Sequence, residues 1–150
     1  MIRVQQDDFD VGAEIARLTD GNHAVGGLAV FVGLVRDMAN DAAIGAMTLE
    51  HYPGMTEKKL AEIEAEAQAR WPLEASLIVH RYGRLEPGDR IVLVACASPH
   101  RDAAFDACRF LIDWLKTEAP FWKLEESGDG AKWVEARDSD NTAKKRWLAD

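Results

Sequence analysis

The chain has 150 residues, 47% hydrophobic and 29% charged, the composition of an ordinary globular protein and not of a disordered or fibrous one. A domain of this length buries roughly 70% of the surface its unfolded chain exposes, so one domain over residues 1–150 with a real core is expected. Eighteen Lys and Arg against 26 Asp and Glu give a net charge of -8, which argues against nucleic-acid or anionic-membrane partners and requires any anionic ligand to meet a local basic cluster.

In chain order, IRVQQ reads as a short strand and FDVGAEIARLT as a short helix with Val11, Ile15 and Leu18 on one face. GLAVFVGLVR reads as a buried strand ending in the polar loop Asp37–Ala43, and IGAMTLEHY as a strand closed by Pro53 and Gly54. Thr56 is the expected N-cap of a helix over 57–71, with Met55 and Leu60 as a hydrophobic staple and Pro72 as its stop. ASLIVHRYGRL and DRIVLVACAS read as two antiparallel strands joined through EPGD. From Pro99 to Ala119 the spacing predicts a long helix with Ala104, Cys108, Leu111, Ile112 and Leu115 buried, ended by Pro120. FWKLEE and AKWVEA around SGDG read as a hairpin, and the last twelve residues as a short, partly exposed helix. Strands and helices alternate only in part, which favours an α+β fold, a mixed or antiparallel sheet with packed helices, over a doubly wound parallel sheet.

Cys96 and Cys108 fall on apolar positions with no CxxC, and the four histidines show no HxxxH or HExxH pattern, so no metal is expected. The first fifteen residues lack a basic segment followed by an apolar run, and no stretch approaches bilayer length, so a cytoplasmic location is expected.

The basic residues at element ends carry the chemistry. In KTEAPFWK, Lys116 and Lys123 flank an acid, a proline and an aromatic pair. They read either as solvated cations with their stems along aromatic surface, or as partly desolvated amines able to exchange protons near neutral pH. In SPHR, Ser98 as N-cap and Pro99 at the first helical position put His100 and Arg101 in the first turn, where the helix dipole disfavours basic groups unless an anion joins them. The alternative is an Arg101–Asp102 pair and a histidine bonded in the core. Arg36 ends FVGLVR and Arg137 follows a short strand in VEARDSD; each is a solvated flank or part of a rim. No Ser-His-Asp set, glycine-rich phosphate loop or spaced carboxylate pair competes with this cationic group.

FVGLVRD, LEHYPGMTEKKL, ASPHRDAAF, LKTEAPFWK and WVEARDSD follow in an order that resembles the catalytic large subunit of molybdopterin synthase, over nearly the whole chain. The resemblance implies an α/β hammerhead-like fold. It also implies an activity, the insertion of two sulfur atoms into cyclic pyranopterin monophosphate to form the dithiolene of molybdopterin, within molybdenum cofactor biosynthesis. The implied sulfur donor is a small ubiquitin-like subunit whose C-terminal Gly-Gly carries a thiocarboxylate, in a heterotetramer built on a homodimer of large subunits. No cofactor is implied.

Carried over position by position, the resemblance makes Lys116 and Lys123 catalytic, with Lys116 meeting the donor tail. It places the substrate against Leu34, Val35, Arg36, His100, Arg101, Leu124, Glu125 and Arg137, with Phe31 flanking the tail channel. The rival readings are a phosphate- or pterin-binding module that does no chemistry, and a structural partner whose tryptophans only mediate assembly.

Overall fold

A computed structural model describes residues 1–39, 42–127, 130–134 and 138–148. In chain order the elements are β1 (Ile2–Gln5), α1 (Val11–Thr19), β2 (Gly27–Leu34), β3 (Met38–Ala39), β4 (Ala42–His51), α2 (Met55–Arg70), β5 (Ala75–Arg81), β6 (Gly83–Leu85), β7 (Arg90–Ser98), α3 (Arg101–Leu115), β8 (Phe121–Ser127), β9 (Gly130–Val134) and α4 (Asp138–Lys145).

Two sheets result, and the class is α+β as expected. The first has the order β1-β5-β7-β2, with β1 parallel to β5 and the other pairs antiparallel. Alternation along its central strands divides the core. Ile78, Val92, Val94 and Cys96 pack with Leu60, Ile63 and Ala67 of α2 and with Ala104, Ala107, Cys108, Phe110 and Leu111 of α3. Leu77, Val79, Leu93 and Ala95 face the other way, onto Phe9 and the α1 residues Val11 and Leu18. Burial on both faces is why β5 and β7 read as unbroken apolar runs.

The second sheet is β3-β4-β8-β9, with β6 also on β4. ASLIVHRYGRL is therefore two strands: β5 stops at Arg81, and Gly83, at φ 93, turns the chain out of the first sheet so that Gly83–Leu85 pair with Met47–Leu49 of β4. A positive φ costs any residue with a Cβ, which glycine avoids. The polar loop after Asp37 likewise contains β3, paired with Ala42 and Ala43; residues 40 and 41 lie outside the described residues.

Both large helices start differently from the sequence reading. Gly54, at φ 85, is the N-cap of α2, and Glu57 Oε2 accepts from its N–H at 2.6 Å. Thr56 is instead fully buried, its hydroxyl donating to the Tyr52 carbonyl at 2.9 Å. Met55 is 60% exposed, so it makes no staple over Leu60. Ser98 is the last residue of β7, buried and donating to the Pro72 carbonyl at 2.8 Å, while extended His100 is the N-cap of α3. At the chain's end, Trp147 stacks edge-on to Trp71 and Phe110 and donates its indole N–H to Asp113 at 2.6 Å, closing the core beneath α3.

Candidate functional site

Helix α3 runs back along β7, so its two ends lie at opposite ends of the first sheet. Its start passes over Gly26 and Gly27: a Cβ on Gly26 would fall 2.2 Å from the Pro99 carbonyl oxygen, and one on Gly27 3.3 Å from Arg101 Cα. Cys108 lies midway, its thiol reaching the Val94 carbonyl at 3.8 Å. Its end, Lys116, stands near the start of β7 and the close of β2. Fifteen helical residues at about 1.5 Å each separate the two ends by about 22 Å.

The Lys116 end holds most of the expected residues. Lys116 is the C-cap, in helical geometry at φ -72. A tight turn follows, with Glu118 N–H bonding the Trp114 carbonyl at 2.7 Å and Phe121 N–H bonding that of Ala119 at 2.8 Å. Phe121 then opens β8 opposite His51, and Lys123 stands opposite Leu49. Two residues on, Glu125 is on the same face of the strand: its carboxylate, in a residue only 7% exposed, lies 3.4 Å from Lys123 Nζ. Leu124 pairs with Thr48.

At the same end, Val35 is buried against Met47, Leu49 and Leu85, its N–H and carbonyl tied to Asp89 and Gly88 at 2.9 and 2.8 Å. That anchorage holds exposed Arg36 over a cleft of about 450 Å³ lined by Val35, Arg36, Asp37, Pro87 and Gly88. Leu34 and Phe31 are exposed on β2, which is the sheet's edge strand.

Against Phe121, which lies between the two lysines in sequence, packs a residue not singled out from the sequence. His80 is buried, stacked on Phe121 with centroids 3.8 Å apart and planes at 17°, and its Nδ1 is 2.8 Å from the Arg81 carbonyl oxygen. Burial pushes its pKa down to about 4, with smaller contributions from the charges of Lys116 and His51. The one signal available was a polar residue at the end of the apolar run SLIVH.

His100 and Arg101 are not at this end. Both are exposed at the start of α3, which opens without a side-chain cap, so its first N–H groups and the arginine share one surface. Arg137 lies outside the described residues. The aromatic pair does not enclose the lysines: Lys116 is exposed, Lys123 meets a carboxylate, and Trp122 turns out to stack edge-on with Tyr52 at 4.4 Å. Both cysteines are buried, and burial raises both thiol pKa values, that of Cys108 to about 11. Among the described residues no group of three or more His, Cys, Asp or Glu could hold a metal, and no helix is long and apolar enough to cross a membrane.

A family model described as "MoaE protein" matches residues 4–118. The molybdopterin synthase catalytic subunit of Pseudomonas aeruginosa is 57% identical over 146 residues, 97% of each chain. Among solved structures, the molybdopterin biosynthesis MoaE protein from Burkholderia ambifaria superposes with a TM-score of 0.85 at 54% identity, over 100% of this chain and 99% of that one. A "protein-protein complex of subunit 1 and 2 of Molybdopterin-converting factor" from Helicobacter pylori shares the fold at a TM-score of 0.71, with 20% identity over 91% and 90% of the two chains. With a family match over most of its length, and a relative more than half identical from end to end, the chain belongs to the MoaE family.

Proposed function

We propose that the protein is the catalytic subunit of a molybdopterin synthase, a cytoplasmic sulfurtransferase formed by one domain over residues 1–150. Its substrate is cyclic pyranopterin monophosphate, and its sulfur donor is the thiocarboxylated C-terminal tail of a small ubiquitin-like subunit. The observation that carries this reading is the placement of two amines, Lys116 and Lys123, on either side of one tight turn, the first at the end of α3 and the second on β8. In a chain of net charge -8 this is a local cationic surface suited to an anionic pterin.

The chain's own groups divide the work. Arg36 and the lysine charges hold the anion, and the lysine amines give or take protons at Nζ as sulfur adds and the cyclic phosphate opens. Glu125, 3.4 Å from Lys123, orients that amine along the strand. Leu34, Val35 and Leu124 wall the substrate, and Phe31 flanks the tail. The buried thiols leave sulfur delivery to the partner, as their raised pKa values disfavour the reactive thiolate.

The separation of about 22 Å between Lys116 and Arg101 bears on assembly. One copy cannot bring His100 and Arg101 to the lysines, so these groups reach the pocket from a second copy, in the homodimer at the centre of a heterotetramer. Arg137 is assigned to the same anion site by its motif. The deciding experiment incubates the protein with cyclic pyranopterin monophosphate and a thiocarboxylated partner; dithiolene product is expected, and its absence with a binding-competent partner refutes the assignment.

A further inference from the structure

Lys116 stands where a helix is held least. The last carbonyls of a helix have no partner within it, and its final turn frays unless something outside grips it. α3 carries no basic side chain in its last turn to meet those carbonyls. Local bonds close the end in part: Thr117 Oγ1 donates to the Asp113 carbonyl at 3.0 Å, and the Thr117 and Glu118 N–H groups reach the Trp114 carbonyl at 3.2 and 2.7 Å.

The last part of the chain supplies the outside grip. Lys144, in the last turn of α4, donates to the Glu118 carboxylate at 2.5 Å, and its ammonium lies 5.5 Å from the centre of the Trp114 ring. Just beyond α4, the Trp147 indole N–H donates to Asp113 at 2.6 Å, and Arg146 Nε lies 3.9 Å from the same carboxylate oxygen. These contacts fall on both sides of Lys116, on Asp113 and Trp114 before it and on Glu118 after it. The brace is itself fixed, because Trp147 packs edge-on against Trp71 and Phe110 and its carbonyl accepts from Arg70 of α2 at 3.1 Å.

An isolated surface ion pair contributes little, since two long side chains must be ordered to form it. Here the pair is partly buried, its lysine also sits over an aromatic face, and the helix that carries it is anchored through a core tryptophan. The core contact of Trp147 would be complete without Lys144, whose pairing reaches past it to Glu118, on the far side of Lys116.

We propose that Lys144 is a positioning residue for Lys116: by pairing with Glu118 while Trp147 holds Asp113, it fixes both flanks of the helix end and keeps the Lys116 amine in one geometry. A reacting group misplaced by about 1 Å loses much of its rate, whereas binding through other residues is little changed. The role rests on the assignment of Lys116 as a reacting amine.

The test compares Lys144→Ala with Lys144→Arg, which keeps the charge. In the ligand-free protein, amide hydrogen exchange at Glu118 is expected to quicken about tenfold in Lys144→Ala, with Leu93 in β7 unchanged. With saturating pterin and thiocarboxylated partner, single-turnover dithiolene formation should slow about tenfold while both affinities stay near wild type. Lys144→Arg should match wild type in both readouts. Glu118→Ala should reproduce Lys144→Ala, and the double variant should be no slower than either, as two groups acting through one contact require.

Unchanged exchange at Glu118 in Lys144→Ala would remove the brace. Quickened exchange with an unchanged rate, or rate losses that add in the double variant, would make Lys144 a stabilising contact alone; each of these results overturns the proposal. The two assignments fail separately: wild-type protein that forms no dithiolene breaks the sulfur-transfer reading, whereas the exchange comparison needs neither substrate nor partner and still decides whether the brace exists.

Discussion

The two ends of α3 carry the same kind of charge on different foundations. At its start, His100 and Arg101 are exposed, and the rigidity beneath them comes from backbone contact with Gly26 and Gly27. At its end, Lys116 and Lys123 rest on side chains, with Phe121 stacked on His80 and Glu125 held against Lys123. A surface of N–H groups and a guanidinium can bind an anion, but arginine does not deprotonate in proteins, which leaves proton exchange at this end to His100 alone. Lysines set on a polar, aromatic floor can do both. The comparison teaches that one helix can present cations on backbone support at one end and on side-chain support at the other.

The sharpest way to break this comparison is to remove the amines. Lys116→Ala and Lys123→Ala should each slow single-turnover dithiolene formation at least about 100-fold, the low end for a positioned acid or base, with fold and assembly unchanged. Arginine at either position should fail to restore the rate, because it keeps the charge and withholds the proton. Near-normal rates in both arginine variants would reduce the lysines to cations and erase the distinction between the two ends.

A second test concerns the floor. His80 has a pKa of about 4 in the fold against an ordinary value of 6.5. Above 6.5 the ring is neutral in both states and the fold keeps its full stability. As pH falls, the unfolded chain binds the proton first, so stability is lost between about 6.5 and 4 and levels off below. The integrated loss is about 3 kcal/mol. Urea unfolding of wild type and His80→Phe across this window should show the extra slope only in wild type; parallel curves would remove the buried neutral histidine from the account.

At the other end, Arg101→Ala should weaken pterin phosphate binding by about 1.5–3 kcal/mol, the scale of a hydrogen bond to a charged group, and His100→Ala by less. Calorimetric binding measures both. Mixing Arg101→Ala protein with Lys116→Ala protein sharpens the point. If each pocket draws its two ends from different copies, mixed dimers regain one intact site, and activity should exceed that of either variant alone. Mixtures no more active than the parents, with exchange of subunits verified, would place both ends in separate sites.

The smallest effect is expected from the thiols. Replacing both Cys96 and Cys108 by Ala should lower stability and leave sulfur transfer in place, since both are buried with raised pKa values. A folded double variant that binds substrate and partner yet transfers no sulfur would point to a persulfide on this chain.

What the sequence could and could not disclose follows from range. Periodicity placed the α3 stripe and the apolar strands because each depends on near neighbours, and Lys116, Lys123 and Arg36 were visible as basic groups where elements end. The Ser98 cap was misplaced because β7 runs on through Ser98 to pack beneath Pro72, a contact 26 residues away. Tyr82 and Gly83 read as strand because the change of sheet shows only in the pairing of Leu85 with Met47. His80 was noted only as one of four histidines without a metal-binding spacing, since its stacking partner Phe121 lies 41 positions later. Nor could spacing reveal that one helix length parts Arg101 from Lys116.

The pairing of β4 with β8 also has a kinetic consequence. Ala46 stands opposite Glu126, eighty residues apart in sequence, whereas β5 and β7 are joined by only the eight residues 82–89, β6 among them. Closing so long a loop is entropically unfavourable until the intervening chain is ordered, so the β5–β7 pair should form early and β8, like β1 and β2, should be captured later. Lys123 and Glu125 then reach their places in the final step of folding. Pulsed hydrogen exchange during refolding should find the amides of Val94 and Leu93 protected before that of Lys123; simultaneous protection would mean that both sheets condense together.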